Sequence, residues 1–511
     1  MKSELPLSSL SLEDRKRLDW LYDMISQQAK TFVGYPVNRM FDYRPLYRFL
    51  DYPINNVGDP FVSSTYRVNT RQIEREVIEH FAELLHAPKD DFWGYVNNGG
   101  TEGNLYGLYL GREIHPDGVL YFSQDRHYSI DKIARVLGLR HHMIRSLPTG
   151  EMDYQDLRTH LSLNKDRPAI VLATIGTTMK QGIDDIQKIR QSLQHAGIEQ
   201  HYLHCDAALA GMILPFTDDP PPFDFREGID SISVSGHKMV GSPIPCGVVL
   251  VRKQHVNRVA QNVEYVGIVD STITGSRNGF SPLLLWYAIR SKSRREFRGM
   301  IRSCFEMADY AVEQMQSAGI DAWRNPHGIT VVFPRPSPAV LEKWQIAVQE
   351  SIGHIITMPH VDKHMIDALV DDMRDSSESR TMRQISLYVP DEPGVVADVA
   401  ELLAGHDINI DSIDAETIGD TGVVILTVDR YHDAIEALKH TKYRLVPDRA
   451  ILVKLDDRPG SLAELATRFK QAGINIHSLR MVNNHDGKAL ASVSTDNWEK
   501  AMDLVSDIRV G

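Results

Sequence analysis

The chain is 511 residues long, 42% hydrophobic and 24% charged, with a formal charge of −12. That length predicts about three domains of ordinary size, and the negative balance argues against a general affinity for nucleic-acid phosphates. Cys205, Cys246 and Cys304 are too few and too scattered for a disulfide framework or a zinc site, so no metal is expected and a reducing cytoplasm is.

The N-terminal stretch mixes acids and bases and has no apolar core of signal-peptide type, and no run of 18 apolar residues occurs anywhere. A cytoplasmic protein with no membrane partner is expected. Residues 72–85 place Ile73, Val77, Phe81 and Leu84 on one face of an amphipathic helix with no chemistry of its own. The strand WGYV then runs into Asn98-Gly99-Gly100-Thr101-Glu102-Gly103-Asn104, followed by an apparent helix. Glycines and a threonine before a helix N-terminus make a phosphate cradle. A Gly-rich turn alone is weak evidence, and this one fits neither the P-loop nor the dinucleotide pattern. After the strand VLYF comes His127, placed where it could stack on a planar group, although most single histidines are structural.

Four short, β-branched runs follow: 169–174, 201–206, 231–235 and 247–251. Alternating with helical segments, they predict an α/β unit with a mostly parallel sheet covered on both faces. Asp206 closes the second run and is followed by small Ala207 and Ala208. A carboxylate there can keep a pyridine nitrogen protonated, with a flat ring lying on the small residues; a helix N-cap is the plain alternative. Ser235-Gly236-His237-Lys238 leaves the third run. Burying a lysine is costly and lowers its pKa, which favours the neutral amine that a Schiff base requires. A lone lysine at a strand end is more often a solvated edge residue; its neighbours here change the odds.

The polar stretch 371–384 reads as a linker between a unit spanning 1–378 and a repeat. The segments starting at Ile385 and Ile451 share 10 of 29 positions at a fixed offset of 66, including Pro393/Pro459, Gly394/Gly460 and Asn409/Asn475. Each copy reads strand, Pro-Gly turn, helix, strand, then further strand and helix. The doubled pattern resembles two tandem ACT domains, α+β and ferredoxin-like, at 383–447 and 449–511. That resemblance implies an amino-acid effector near Asp391, Pro393, Gly394 and Asn409, and near Asp457, Pro459, Gly460 and Asn475. A pair that only packs or dimerises is the simpler alternative.

In the first unit, NGGTEGN, DRHYSIDKIA, TIGTTMKQGIDD, HCDAALAGMILPF, SVSGHKMVGSPIPCGV and TITGSRNG together resemble the fold-type I, group II pyridoxal phosphate (PLP)-dependent decarboxylases, in the histidine and serine decarboxylase branch. The likeness spans about residues 30 to 370. It implies a mostly parallel seven-stranded sheet, Lys238 as the lysine that binds PLP as a Schiff base, and Asp206 on the pyridine nitrogen. It further implies His127 and Ala208 on opposite faces of the ring, with His127 also meeting the substrate. Gly100, Thr101, Ser235 and His237 would surround the phosphate, with Thr177 near the phenolic oxygen. The family is a homodimer with sites at the subunit interface, so Ser276 and Arg277 are expected to reach the partner's site. The expected reaction is decarboxylation of an L-amino acid. L-histidine is preferred over L-serine, since 228–247 and 212–216 read like the histidine branch while 52–74, 262–279 and 344–359 read at least as much like the serine branch. A PLP aminotransferase and a non-catalytic amino-acid sensor are the competing classes.

Overall fold

The structure, a computed structural model, describes residues 10–263, 268–378, 384–390, 392–418, 421–428, 431–439, 441–445, 450–485, 488–495 and 498–508. It divides into two compact units, Met1–Arg374 and Asp375–Gly511.

In the first unit, helix α1 (Leu12–Gln28) starts on Ser11, whose hydroxyl accepts the Asp14 N–H, and buries none of its side chains. Helix α2 (Arg71–Leu84) buries Val77, Phe81 and Leu84, as the spacing predicts, and leaves Ile73 half-buried. The central sheet is built from β1 (Trp93–Asn97), β2 (Val119–Ser123), β3 (Arg140–Ile144), β4 (Ala169–Thr174), β5 (His201–Asp206), β6 (Ser231–Ser235) and β7 (Gly247–Val251). Their spatial order is β1-β7-β6-β5-β4-β2-β3. The pairs from β3 through β6 are parallel, and β7 runs antiparallel to both its neighbours.

Helices cover both faces, which is why a strand such as β4 is buried along its whole length. On one face α3 (Gly100–Ile114) and α4 (Ser129–Val136) enclose Tyr106, Leu108, Phe122, Ile130 and Ile170. The opposite core gathers Val119, Val171, Leu203 and Ile232 with residues of α5 (Tyr154–Leu163), α6 (Ile186–Ala196), α7 (Phe280–Ser291) and α8 (Arg294–Ser317). A small antiparallel sheet of Thr330–Pro334, Ile352–Ile356 and Ala347–Gln349 completes this unit.

Along α3, Gly103, Gly107 and Gly111 recur at four-residue spacing and face the sheet. A Cβ on each would come within 2.1 Å of Ser233 Oγ, 2.2 Å of His204 Nδ1 and 3.0 Å of Tyr202 Cδ1. The bare stripe therefore lets α3 lie close on β5 and β6.

Residues 371–378, read above as linker, continue the helix Lys363–Glu378. Ile366, Leu369, Val370 and Met373 give that helix a buried face, whose period only shows when the preceding residues are included. Residues 379–383 lie outside the described residues.

The second unit contains two similar modules. Strands Gln384–Pro390, Ile410–Ile418, Thr421–Val428 and Arg444–Leu445 form the first sheet, with helices Val395–Ala404 and Tyr431–Lys439. Strands Ala450–Asp456, Ile476–His485 and Lys488–Thr495 form the second, with helices Ser461–Gln471 and Trp498–Leu504. Each first helix is entered through a glycine in the left-handed region, Gly394 at φ 99° and Gly460 at φ 101°, a conformation that costs other residues energy. Val424, Leu426 and Val428 pack toward their helices, whereas Val423 and Ile425 on the other face meet Leu452 and Leu490 of the second module. Among the described residues no helix is long and apolar enough to cross a membrane.

Candidate active site

Parallel strands carry their ligand sites beyond their carboxyl ends. Here those ends bring Gly99 and Gly100 (after β1), His127 (after β2), Thr177 (after β4), Asp206 and Ala208 (from β5), and Ser235, His237 and Lys238 (from β6) to one edge of the sheet.

Lys238 is enclosed by protein and keeps only partial access to solvent. Burial lowers its pKa, and the nearby Asp206 carboxylate opposes that shift. No hydrogen bond or ion pair engages its amine among the described residues. The turn that carries it is fastened from the N-terminal segment: the Asn38 N–H donates to the Lys238 carbonyl at 3.1 Å, and Asn38 Nδ2 donates to the Met239 carbonyl at 2.8 Å.

Asp206 is 5% exposed. Its carboxylate accepts from Asn104 Nδ2 at 2.7 Å and from the Ala208 N–H at 3.2 Å. His127 shares this space, since burial lowers its pKa while Asp206 raises it and Lys238 lowers it. Its Nδ1 accepts from the Ser129 N–H at 3.3 Å and lies 2.8 Å from Ser129 Oγ. This contact fixes the ring beside the helix start.

The N-terminus of α3 forms the third wall. Gly99 has φ 127° and no side chain caps the helix, so the first N–H groups lack a side-chain acceptor. An anion there gains about 0.3–1 kcal/mol from the helix dipole. A Cβ on Gly100 would lie 3.0 Å from Ser235 Oγ and 3.4 Å from Ala208 Cβ, and one on Gly99 would lie 3.4 Å from His237 Cε1. Gly100 thus lies beside Ser235 and Ala208, Gly99 lies beside His237, and Thr101 is exposed. His237 is held by its own loop: its Nδ1 accepts the Cys246 N–H at 3.3 Å and lies 2.9 Å from the Cys246 carbonyl, and burial lowers its pKa.

Thr177 and Arg277 both make contacts within their own chain. Thr177 is buried, and its Oγ1 accepts the Gly182 N–H at 2.9 Å, so that lone pair serves its own loop. Arg277 is anchored inside its own chain. Its guanidinium is buried in its own chain against the Glu74 carboxylate and donates to the Gly58 carbonyl at 2.7 Å and the Val96 carbonyl at 3.2 Å. A buried guanidinium needs an internal anion, and α2 supplies one. Ser276 is exposed and accepts from Asn55 Nδ2 at 3.1 Å.

In the second unit, Pro393 and Gly394 in one module, and Asp457, Pro459 and Gly460 in the other, form exposed turns at helix N-termini, while exposed Asn409 and Asn475 precede the next strands. Asp391 lies outside the described residues. Among the described residues no cluster of His, Cys, Asp or Glu could hold a metal ion.

Asn38, Asn104 and His204 were not singled out from the sequence. The last was legible in principle: Tyr202, His204 and Asp206 alternate along β5, so three polar groups share one buried face. Asn38 gave no such signal.

The elements of the first unit could hold a planar, phosphorylated ring carrying a basic nitrogen and an aldehyde. An unengaged amine, a buried carboxylate and a helix N-terminus supply the three complementary chemistries. Residues 55–322 match the pyridoxal-dependent decarboxylase conserved domain, and residues 383–440 match the ACT domain. The chain is 50% identical to the histidine decarboxylase of Morganella morganii over 71% of its own length and 97% of that protein's. It is 48% identical to the histidine decarboxylase of Pseudomonas fluorescens, over 73% of this chain and 94% of that one. Among solved structures, the L-methionine decarboxylase of Streptomyces sp. 590 superposes with a TM-score of 0.67 at 26% identity, covering 73% of this chain and 97% of that one.

Proposed function

The chain belongs to the pyridoxal-dependent decarboxylase family and is a PLP-dependent carboxy-lyase, and on that premise we propose that its substrate is L-histidine, converted to histamine and carbon dioxide. The observation that carries this reading is the near half-identity to histidine decarboxylases over almost their full length.

In this reading Lys238 holds the cofactor through Nζ. Its lowered pKa supports the role, because only the neutral amine is a nucleophile. Asp206 would meet the ring nitrogen and keep a proton there, and His127 and Ala208 would hold the ring between them. The free N–H groups at the start of α3, with Thr101, Ser235 and His237, bind the phosphate, and Thr177 borders the ring's oxygen side. When bound, the cofactor supplies a conjugated ring that accepts the electrons of the breaking Cα–carboxylate bond. The protein's task is to orient that bond and exclude water around it. His127, whose pKa burial lowers, would be a side chain able to hold a proton beside the substrate.

The catalytic form is a homodimer of a cytoplasmic enzyme. Support comes from α1, which buries nothing in its own chain and exposes Leu12, Trp20, Tyr22 and Ile25, and from three free, buried cysteines. The ACT unit binds an amino acid through its paired Gly394 and Gly460 turns and regulates the enzyme.

Two experiments test these proposals. Purified protein offered L-histidine and L-serine at equal concentration should form histamine and little ethanolamine; ethanolamine as the main product would reassign the substrate to L-serine. Removing residues 380–511 should leave decarboxylation and a sedimenting mass of two chains intact while abolishing any response to added amino acids. An unchanged response would refute ACT regulation, and a single-chain mass of active enzyme would refute the dimer.

A further inference from the structure

Behind Asp206 runs a file of buried polar side chains whose purpose the decarboxylation chemistry leaves unstated. Tyr202 Oη donates to Ser231 Oγ at 2.8 Å. Ser231 Oγ lies 2.8 Å from His204 Nδ1, and His204 Nε2 lies 3.0 Å from Asn104 Oδ1. Asn104 Nδ2 then donates to Asp206 Oδ2 at 2.7 Å. Tyr202, Ser231, His204 and Asn104 are each no more than 2% exposed.

Chemistry sets the direction of every bond in this file. An ionised carboxylate only accepts, so Asn104 turns its amide nitrogen to Asp206 and its oxygen to His204. That oxygen only accepts, so His204 carries its proton on Nε2. Burial keeps the imidazole neutral, with its pKa pushed down to about 3. Nδ1 is therefore a lone pair, which Ser231 fills with its hydroxyl proton, and Ser231 in turn accepts from Tyr202. Every donor points toward Asp206. Turning Asn104 over, so that its oxygen faced Asp206, would reverse every bond behind it and leave the Tyr202 hydroxyl proton without an acceptor in a dry core, so Asp206 meets a fixed donor there, which favours its charged form.

We infer that Tyr202, Ser231, His204 and Asn104 form a one-way hydrogen-bond relay that holds Asp206 ionised and so keeps the cofactor's ring nitrogen protonated. The inference rests on the reading of Asp206 as that nitrogen's partner. His204 and Asn104 are positioning residues: they act through Asp206 and touch no reacting atom. The charged and titratable groups facing Asp206 from the other side are Lys238 and His127. Room for the relay comes from Gly107, where any side chain would overlap the His204 ring.

The test loads the full-length enzyme with PLP labelled with nitrogen-15 in the ring and follows that nitrogen's chemical shift with pH. In the unaltered protein the shift should report a protonated nitrogen at neutral pH and lose that proton only toward the alkaline end of the range in which the protein is folded. His204→Leu, which breaks the relay, should lower the pH at which the proton is lost by about one unit, the scale of one hydrogen bond to a charged group. His204→Gln, which can accept from Ser231 and donate to Asn104, should restore the original value, a recovery that a purely structural role would not produce. If His204→Leu fails to fold, Ser231→Ala should move the value in the same direction. A folded relay variant indistinguishable from the unaltered protein, while Asp206→Ala loses the protonated signal, would overturn the relay and leave the Asp206 reading intact. An unchanged signal in Asp206→Ala would remove that reading, and the relay with it.

Discussion

At the scale of single residues, burial does most of the chemical tuning. Lys238, His127 and His237 all have lowered pKa values, with desolvation as the first cause in each case. His204 is the fullest case and yields a pH prediction. The unfolded chain protonates this histidine near its ordinary 6.5, and the folded chain only near about 3. Between those values the unfolded state binds the extra proton. The stabilisation is therefore complete above the upper value and is lost as pH falls toward the lower one, with a slope approaching about 1.4 kcal/mol per pH unit. Urea unfolding of the first unit should lose stability less steeply on acidification in His204→Gln than in the unaltered protein. Equal slopes would mean that His204 is already protonated in the fold. Lys238 and Asp206 stood out in the sequence because a lysine and an aspartate at buried strand ends are costly there. The anchor of Arg277 was not legible, because its buried partner, Glu74, lies about two hundred positions away. Nothing local marks such a pair.

At the scale of elements, period carried most of the information. The four β-branched runs are the strands β4 to β7, and the helix expected over 72–85 is α2. Strands with polar residues were harder to see: β3, Arg140–Ile144, is largely exposed and lacks an apolar run. The tail of the helix Lys363–Glu378 was read as linker because its last turns are polar. The glycine stripe of α3 was visible only as a turn signal at its first residues, although its spacing sets the approach to β5. Gly107→Ala places a Cβ against the His204 ring and should cost about 1–3 kcal/mol, as overpacking does in a tight core. Thermal unfolding would register this as a lowered midpoint. An unchanged midpoint would show that α3 can back away from the sheet without loss.

At the scale of the whole molecule, two units with separate cores carry separate chemistry: a PLP-dependent decarboxylase in the first, an ACT domain in the second. The internal repeat made the second unit legible, because two copies of a Pro-Gly turn require the same left-handed glycine. Substrate choice was less legible, since selectivity between histidine and serine depends on side chains gathered from distant segments. What unites the first unit is the claim that the cofactor is carried on Lys238. Borohydride reduction of the PLP-loaded protein, followed by digestion and mass analysis, tests it directly. The pyridoxyl mass should appear on the peptide containing Lys238 and on no other. Its appearance on a different lysine, or its absence from every peptide, would contradict the account.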